Sequence, residues 1–384
     1  MKLNIADRIA TMPTSIFSTM SKMAVEYNAT NLGQGFPDFD GPEWLAESLF
    51  KASKEGKNQY APSPGILSLR KNIADYHKKF YNLDWNPDTD VTITAGATEA
   101  LYSTLQALIN PGDEVVLFEP FYDSYQADVT MAGGICRYVT LNKPDFSFDF
   151  EELQSVINKK TRMIILNTPH NPSGKIFNLE ELNYIAKLAI ENDLLVLSDE
   201  VYEFLTFDNH KHIPIATLDG MKKRTITISS TGKTFSMTGW KIGYAIADSR
   251  ISEAIRKVHQ WVTFAVNTPA QHSMAFAFTQ LDKYLPEFKK MYLNKRNLVM
   301  KQLKDSNFKL FKPSGSYFIM TEFPNDKFIS DIDAATKLVS DFGIATIPTS
   351  VFYSKSDEGK TMLRLCFAKT DEILIEGIEK LKKV

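Results

Sequence analysis

The strongest constraint on the fold is an alternation between short β-branched runs and longer segments with the periodicity of amphipathic helices. The β-branched and apolar runs predict strands at residues 91–94, 114–118, 162–166, 194–197 and 225–228. The segments among them predict helices at 101–110, 122–132, 151–158 and 179–191. Strands that alternate with helices favour a mostly parallel, doubly wound α/β sheet with helices on both faces. Ligands bind such a sheet outside the carboxyl ends of its strands.

A stretch rich in glycine and hydroxyl groups, Ser229–Gly243, follows the last of these strands and places Lys233 in a loop. Backbone N–H groups, hydroxyls and a second cation, Lys241, can hold an anion in such a loop. Lys233 is a candidate nucleophile, because an amine with a lowered pKa attacks carbonyl carbon to form a Schiff base. A nucleotide-binding P-loop is disfavoured, since Thr227 stands where that motif needs glycine. Taken alone, the stretch is equally consistent with a turn that carries a solvated lysine.

Two further segments supply groups that could bind a ligand. Ala97 and Thr98 lie in the turn that leads from the strand at 91–94 into the helix at 101–110, where free N–H groups and the helix dipole would form a seat for phosphate. Tyr122 lies just past the strand at 114–118, where its ring could stack on a planar group. By themselves these features are also compatible with an ordinary βα turn and with a core aromatic side chain.

Polar residues follow two more strands. Asn171 precedes a proline, which holds it extended and lets its amide face a ligand oxygen. Asp199 emerges just after an apolar strand, where a carboxylate is costly unless it meets a cation. Tyr202 is three residues further along. Because all these groups follow strand ends, we expect them to converge with Lys233 at one site.

The C-terminal part has a different pattern, with shorter strand-like runs at 308–311, 317–321, 344–347 and 362–367 and a long charged helix at about 281–304. This pattern predicts a smaller α+β domain. We therefore expect an N-terminal arm over residues 1–41 that also forms part of the small domain, a large domain over 42–280 and the small domain over 281–384. Arg364, flanked by apolar residues, predicts either a buried ion pair or a carboxylate clamp.

Composition excludes several classes of function. Lys and Arg number 44 against 46 Asp and Glu, so neither nucleic acid nor a membrane surface is an expected partner. The only cysteines, Cys136 and Cys366, argue against a disulfide scaffold and predict a reducing cytoplasm. The sequence has no apolar run of membrane length and no recognisable secretory segment. Six scattered histidines provide no metal-ligand spacing, so we expect no metal.

Several motifs together resemble the class I/II, fold-type I aminotransferases. They are Ser-Ser-Thr-Gly-Lys-Thr-Phe-Ser-Met-Thr-Gly-Trp-Lys-Ile-Gly, Asn-Thr-Pro-His-Asn-Pro-Ser-Gly and Ser-Asp-Glu-Val-Tyr. The stretches Gly-Gln-Gly-Phe-Pro-Asp-Phe, Ala-Gly-Ala-Thr-Glu-Ala-Leu and Leu-Cys-Phe-Ala-Lys resemble in particular bacterial methionine aminotransferases and kynurenine–oxoglutarate (glutamine) transaminases. The resemblance covers essentially the whole chain. It implies a large domain that binds pyridoxal 5′-phosphate, for which a lysine and an acidic partner of the ring nitrogen are the expected protein groups.

The resemblance also implies roles for the residues at the strand ends. Lys233 would hold the cofactor as a Schiff base and shuttle the substrate proton, and Asp199 would keep the ring nitrogen protonated. Tyr202 and Asn171 would bind the phenolate oxygen of the ring, and Tyr122 would stack on its face.

The remaining implied roles concern the phosphate, the substrate and a second subunit. The phosphate would be held by Ala97, Thr98, Ser230 and Lys241. Arg364 and the Gly35 N–H would bind the substrate α-carboxylate, with Asn171 also at the substrate. Tyr60 would reach the phosphate of a neighbouring subunit, which implies a homodimer. The reaction would be a ping-pong transamination between an L-amino acid and a 2-oxo acid.

No second cation can be assigned to a side-chain carboxylate of the donor. Instead, an apolar pocket is predicted from Ile16, Phe17, Phe36, Tyr317 and Phe352. Methionine, aromatic and other large neutral amino acids are therefore the favoured donors. An alternative on the same scaffold is β-elimination from cysteine S-conjugates. A regulator with an aminotransferase-like domain would need a DNA-binding segment, and residues 1–30 are too short to form one.

Overall fold

The computed structural model describes residues 5–10, 12 and 14–384; the other six residues belong to the predicted N-terminal arm. Its helices are α1 Asp7–Ala10, α2 Ile16–Glu26, α3 Glu43–Lys54, α4 Leu67–Tyr81, α5 Gly96–Leu108, α6 Asp123–Met131, α7 Phe150–Val156, α8 Leu179–Glu191, α9 Thr231–Thr234, α10 Ser249–Val262, α11 Thr268–Thr279, α12 Leu281–Gln302, α13 Asp331–Phe342 and α14 Asp371–Leu381. None of these helices combines the length and the apolar character needed to cross a membrane.

The strands form three sheets. They are β1 Thr30–Asn31, β2 Val91–Ala95, β3 Glu114–Glu119, β4 Ile135–Thr140, β5 Thr161–Asn167, β6 Leu195–Asp199, β7 Thr225–Ser230, β8 Ile242–Ile246, β9 Lys309–Leu310, β10 Phe318–Glu322, β11 Ile344–Ala345, β12 Ile347–Pro348 and β13 Met362–Cys366. Seven of them build the central sheet in the order β2-β8-β7-β6-β5-β3-β4.

The central sheet confirms the predicted α/β class. Neighbouring strands in it run parallel except β8, which pairs antiparallel with both β7 and β2. All the other strands, including the edge strand β2, therefore point their carboxyl ends toward the same edge. The strands β2, β3, β5, β6 and β7 correspond to the five predicted runs.

The sequence analysis does not predict two strands of this sheet, β4 and β8. β4 lies at the edge, and its residues alternate between exposed and partly buried over its first half. β8 takes over the end of the glycine-rich stretch, which sequence analysis assigned entirely to a loop. Gly243 indicates a turn in the local sequence, but it lies inside β8 in the structure. Backbone pairing with the strands on both sides produces a strand there.

Both faces of the central sheet are buried. Along β3, Val115 and Leu117 contribute to one hydrophobic cluster, whereas Val116 and Phe118 contribute to the other. Successive side chains of a strand point to opposite faces, so this division follows from a strand that helices cover on both sides. A fully buried Leu or Val side chain contributes about 1.5–3 kcal/mol relative to an exposed one. Burial of the apolar side chains therefore stabilises the strands, whose carboxyl ends carry the polar residues.

The C-terminal part contains a four-stranded antiparallel sheet in the order β12-β13-β10-β9 and a two-stranded sheet in which β1 pairs with β11. In the register of the larger sheet, Arg364 of β13 lies between Met320 of β10 and Ile347 of β12. The predicted single run at 344–347 is wrong, because β11 and β12 join different sheets. The proposed domain boundaries at 41/42 and 280/281 stay a prediction.

The sequence Asn267-Thr-Pro269 interrupts the helical pattern locally, yet α11 begins within it, at Thr268. Asn267 caps this helix by accepting a hydrogen bond from the N–H of Ala270, and Pro269 stands in its first turn. Both features favour a helix start, so the Asn-Thr-Pro sequence marks the beginning of α11.

Candidate active site

The carboxyl edge of the central sheet borders a cavity of about 270 Å³. Eleven of the residues predicted to bind the cofactor or the substrate carboxylate line it: Gly35, Ala97, Thr98, Tyr122, Asn171, Asp199, Tyr202, Ser230, Lys233, Lys241 and Arg364. They lie at or after the carboxyl ends of β2, β3, β5, β6 and β7, directly before β8, on β13 and in the loop after β1. Tyr60 is not among the lining residues; its side chain is 81% exposed. Its predicted role concerns a second subunit and stays a prediction.

Lys233 sits on the short helix α9, directly after β7. Its Nζ donates hydrogen bonds to the hydroxyl of Tyr317 at 2.8 Å and to the carbonyl oxygen of Gly35 at 3.2 Å. Burial lowers the pKa of Lys233 to about 8, because the surroundings solvate the ammonium form poorly. The amine is therefore largely neutral, and nucleophilic, in mildly alkaline solution.

Asp199 ends β6, and its side chain is buried. The hydroxyl of Tyr125 donates to its Oδ2 at 2.6 Å, and the N–H of Val201 donates to its Oδ1 at 3.3 Å. Burial raises the pKa of Asp199 to about 6 despite these two hydrogen bonds. Over residues 5–10, 12 and 14–384, no salt bridge involves this carboxylate. A buried carboxylate that borders a cavity is suited to meet a cationic ligand there.

The start of α5 meets β8 so closely that two glycines are required. A Cβ on Gly243 would lie 2.4 Å from the carbonyl carbon of Gly96. Gly96 has a φ of 73°, and its own Cβ would lie 3.2 Å from the Nζ of Lys241. The Nζ of Lys241 donates to the hydroxyl of Thr98 at 3.3 Å. A helix N-terminus, a lysine and a hydroxyl thus meet at one end of the cavity, and together they suit a phosphate group.

A buried pair of ionisable side chains supports this helix start from behind. Glu99 accepts a hydrogen bond from the N–H of Ala95 and lies 2.5 Å from His259 Nδ1. The other ring nitrogen of His259 donates to the carbonyl oxygen of Ser63 at 2.7 Å. Burial is the largest single influence and acts to lower the pKa of His259, but the hydrogen bond with Glu99, the charge of Glu99 and the hydrogen bond to Ser63 together raise the pKa. The pair therefore connects the phosphate-sized end of the cavity with the loop that carries Tyr60.

Arg364 occupies the opposite wall. Its Nη1 donates to Oδ1 of Asn171 at 3.0 Å, and its Nη2 donates to the carbonyl oxygen of Gly33 at 2.9 Å. The guanidinium carbon lies 4.1 Å from the ring centroid of Phe318 and 4.9 Å from that of Phe17. Among the described residues Arg364 makes no salt bridge, so the alternative of a buried structural ion pair is wrong. A buried guanidinium bound only by neutral groups is suited to receive a carboxylate.

The predicted apolar pocket divides in the structure. Phe17 and Phe36 line the cavity, and Phe352 is buried with its ring 5.9 Å from that of Phe17. Ile16 is not a lining residue. Tyr317 plays a different part from the one assigned to it, because its hydroxyl accepts from Lys233 and donates to the Gly35 carbonyl at 2.7 Å.

Comparison with known protein families decides the assignment. Residues 27–381 match the family described as aminotransferase class I and II. The chain belongs to this aminotransferase family. The predicted resemblance and the predicted enzyme class are confirmed.

Individual relatives of this aminotransferase cover nearly its whole length. A methionine aminotransferase from Escherichia coli strain K12 is 38% identical over 380 residues, which span 98% of this chain and 97% of the relative. A kynurenine–oxoglutarate transaminase from Dictyostelium discoideum is 37% identical over 408 residues, spanning 96% and 94%. A crystal structure of an Escherichia coli protein with methionine aminotransferase function superposes with a TM-score of 0.96 at 37% identity, covering 100% of both chains.

Sequence reasoning missed several residues that shape the cavity of this aminotransferase. Tyr125 lies one helical turn after Tyr122, so the spacing offered a signal that both rings face one way. Gly96 lies within a motif that was recognised, but nothing local shows that its backbone approaches Lys241. Phe318 follows Tyr317 on an apolar run, and only the sheet register brings its ring onto Arg364.

Proposed function

We propose that this aminotransferase uses pyridoxal 5′-phosphate to exchange the amino group of a large neutral L-amino acid with the oxo group of a 2-oxo acid. One observation carries the proposal: an amine with a pKa near 8, a buried carboxylate and a buried guanidinium border the same cavity, and neither of the last two has an ion-pair partner among the described residues. These three groups match the carbonyl, the ring nitrogen and the substrate carboxylate that such a reaction brings together.

The residues present fit the cofactor. Its phosphate would lie at the start of α5, held by the Lys241 ammonium and by the hydroxyls of Thr98 and Ser230. Asp199 would face the ring nitrogen, and Tyr202 and Asn171 would lie at the ring oxygen. The bound cofactor supplies an aldehyde for the amino group and an electron sink for the charge left on the α-carbon.

The chain's own groups would then bind and orient the substrate. Arg364 donates two parallel hydrogen bonds to the α-carboxylate once it releases the Asn171 amide and the Gly33 carbonyl. The Lys233 Nζ would act as a general base that removes the proton from the α-carbon. It would then deliver this proton to the carbon on the cofactor side of the amino nitrogen. The walls formed by Phe17, Phe36 and Phe318 exclude water from this region and receive the donor side chain.

The proposed reaction is ping-pong. The first 2-oxo acid leaves before the second enters, because both carboxylates need the same guanidinium of Arg364. We also propose a homodimer in the cytoplasm, with Tyr60 at the phosphate of the neighbouring subunit. The ring of Tyr60 packs on Phe264 at 5.1 Å, and Trp261 nearby in the sequence is 88% exposed. Such exposed aromatic side chains are typical of protein interfaces.

The function is tested by loading purified protein with pyridoxal 5′-phosphate and reducing it with borohydride. We expect a yellow protein that loses its visible absorbance on reduction, with the label on Lys233 in a peptide map. Protein that takes up no cofactor, or label on another lysine, contradicts the proposal. A screen of amino donors against several 2-oxo acids then tests the preference for methionine, phenylalanine and leucine over aspartate.

The amine of Lys233 should titrate far below an ordinary lysine. Below pH 8 it is mostly protonated, so in cofactor-free protein its reductive methylation should speed up about tenfold per pH unit and level off above pH 8. Quantitative mass spectrometry of the Lys233 peptide measures the rate between pH 6 and 11. Nα-acetyllysine serves as the reference, with a midpoint near 10.4. A midpoint for Lys233 close to that of the reference contradicts the role of burial.

Arg364→Lys should weaken all amino-acid donors by a similar factor of about ten to a hundred in kcat/KM, because lysine keeps the charge but loses the two parallel hydrogen bonds. The kcat/KM values for methionine, phenylalanine and aspartate in both proteins measure this. An amine that lacks the carboxylate, 3-(methylthio)propylamine, is the control and should react equally with both. A loss confined to one amino acid would mean that Arg364 recognises a side chain.

A further inference from the structure

Glu119 is a buried carboxylate that the proposed chemistry does not use. It is the last residue of β3, at the same edge of the sheet as the cavity, and its side chain is fully buried. It does not line the cavity. In the part of the chain that the structure describes, no lysine, arginine or histidine forms a salt bridge with it. A charge in such a place needs other partners.

Consecutive backbone N–H groups supply those partners. Ser354 and Lys355 donate to Oε2 of Glu119 at 2.7 and 2.9 Å, and Ser356 donates to Oε1 at 2.8 Å. The hydroxyl of Thr140 adds a fourth hydrogen bond at 3.1 Å. One carboxylate on the central sheet thus holds a loop that leads into the C-terminal sheet. Hydrogen bonds from N–H groups to a charged acceptor are about twice as strong as those between neutral groups.

The loop held in this way leads directly to the substrate end of the cavity. Phe352 precedes it by two residues, and the N–H of Phe121 donates to the Phe352 carbonyl at 2.9 Å. The Phe352 ring lies 5.6 Å from the guanidinium carbon of Arg364. It also packs on Phe17, which lines the cavity. The position of this aromatic wall therefore depends on where the 354–356 backbone is fixed.

We propose that Glu119 is a positioning residue for substrate recognition: by anchoring the 354–356 backbone it fixes Phe352 and keeps the Arg364 guanidinium oriented for the substrate carboxylate. This rests on the proposed function, since it assumes that Arg364 binds that carboxylate. Glu119 acts through Phe352 and touches neither the substrate nor Lys233. Its loss should therefore raise KM and leave kcat nearly unchanged.

Glu119→Gln tests the proposal with little change in shape. An amide offers one oxygen acceptor and turns an NH₂ group toward backbone donors, so part of the anchor is lost. We expect the KM for methionine to rise about ten- to hundredfold, the range set by losing one or two charge-assisted hydrogen bonds. The kcat should stay within about threefold, and cofactor absorbance should be unchanged.

Glu114→Gln is the matched control. Glu114 starts the same strand, is also buried, and accepts hydrogen bonds from Arg137 at 2.5 Å and Asn158 at 2.7 Å. It lies at the end of β3 away from the cavity, so its replacement should lower stability without changing KM. Equal KM values in the two variants would reduce Glu119 to a structural role and overturn the proposal.

Two measurements do not depend on turnover. Trypsin should cleave after Lys355 faster in Glu119→Gln than in wild type or Glu114→Gln, because the backbone at 354–356 is released. Calorimetry should show weaker binding of 4-methylpentanoate, a carboxylate without an amino group, by the same factor as KM. Unchanged cleavage together with unchanged affinity overturns the inference.

A variant with the charge retained covers the case in which Glu119→Gln does not fold. Glu119→Asp keeps the carboxylate but shortens its reach, so KM and 4-methylpentanoate affinity should shift in the same direction by a smaller factor. An unchanged KM in Glu119→Asp, with cleavage after Lys355 accelerated, would show that the loop does not control substrate binding. Wild type that is inactive and unlabelled at Lys233 would instead reject the proposed function itself.

Discussion

Lys233→Ala should fold normally and lose at least about ten-thousandfold in kcat for transamination, because it removes the side chain that we propose as both nucleophile and general base. No other lysine that lines the described cavity can replace it. The Nζ of Lys241 donates a hydrogen bond to the hydroxyl of Thr98 at the phosphate-sized end of the cavity, away from the position of the Lys233 Nζ. The formation of 2-oxo acid from methionine measures the loss, and circular dichroism and thermal unfolding report the fold.

Two controls distinguish the loss of the Lys233 amine from an effect on the fold or on cofactor binding. Added methylamine should restore part of the rate in Lys233→Ala, since a free amine can enter the space and act as base. Lys241→Ala should weaken cofactor binding, and its activity should recover when excess cofactor is supplied. Substantial turnover by Lys233→Ala without added amine would show that the catalytic base lies elsewhere.

Asp199→Asn is expected to bind the cofactor but lose about a thousandfold or more in kcat, which corresponds to several kcal/mol at the transition state. Asparagine has nearly the shape of aspartate but carries no charge, so it cannot keep a ring nitrogen protonated. In the protein by itself, burial raises the pKa of Asp199 to about 6. Its carboxylate is therefore held at an energetic cost that a cationic partner removes.

Tyr125→Phe is the control for this prediction. It removes the hydrogen bond to Asp199 Oδ2 while keeping the negative charge, so kcat should fall only about tenfold or less. The kcat values of both variants, together with the absorbance spectrum of the bound cofactor between pH 5 and 9, distinguish charge from hydrogen bonding. An Asp199→Asn variant as active as wild type would mean that another group partners the ring.

The sequence predicted much of the cavity because parallel strands share one edge. Tyr122, Asp199 and Lys233 are far apart along the chain, and each follows an apolar run that reads as a buried strand. Once the strands are parallel, their carboxyl ends must meet, and so must these side chains. The same rule could not locate Phe17 or Arg364, since neither follows a strand of the central sheet.

Some local signals were misleading because neighbours along the chain do not decide pairing. Gly243 suggested a loop, yet β8 pairs on both sides and needs glycine where it passes the start of α5. The run at 344–347 looks like one strand, but β11 and β12 turn to different sheets. The sequence predicts Tyr317 as an aromatic residue of the apolar pocket, but in the structure its hydroxyl accepts a hydrogen bond from Lys233.

What the sequence alone predicted is the type of chemistry: a candidate nucleophile in Lys233 and a candidate carboxylate partner in Asp199, which a doubly wound sheet gathers at one edge. These properties depend on residue identity and local periodicity, which are present in the chain itself. Only the tertiary structure decided their state. It lowered the pKa of Lys233, left Asp199 and Arg364 without ion-pair partners in the described chain, and placed Glu119 beneath the loop that supports Phe352. The reason is physical: burial and hydrogen-bond geometry depend on contacts between residues distant in sequence, and no local pattern encodes them.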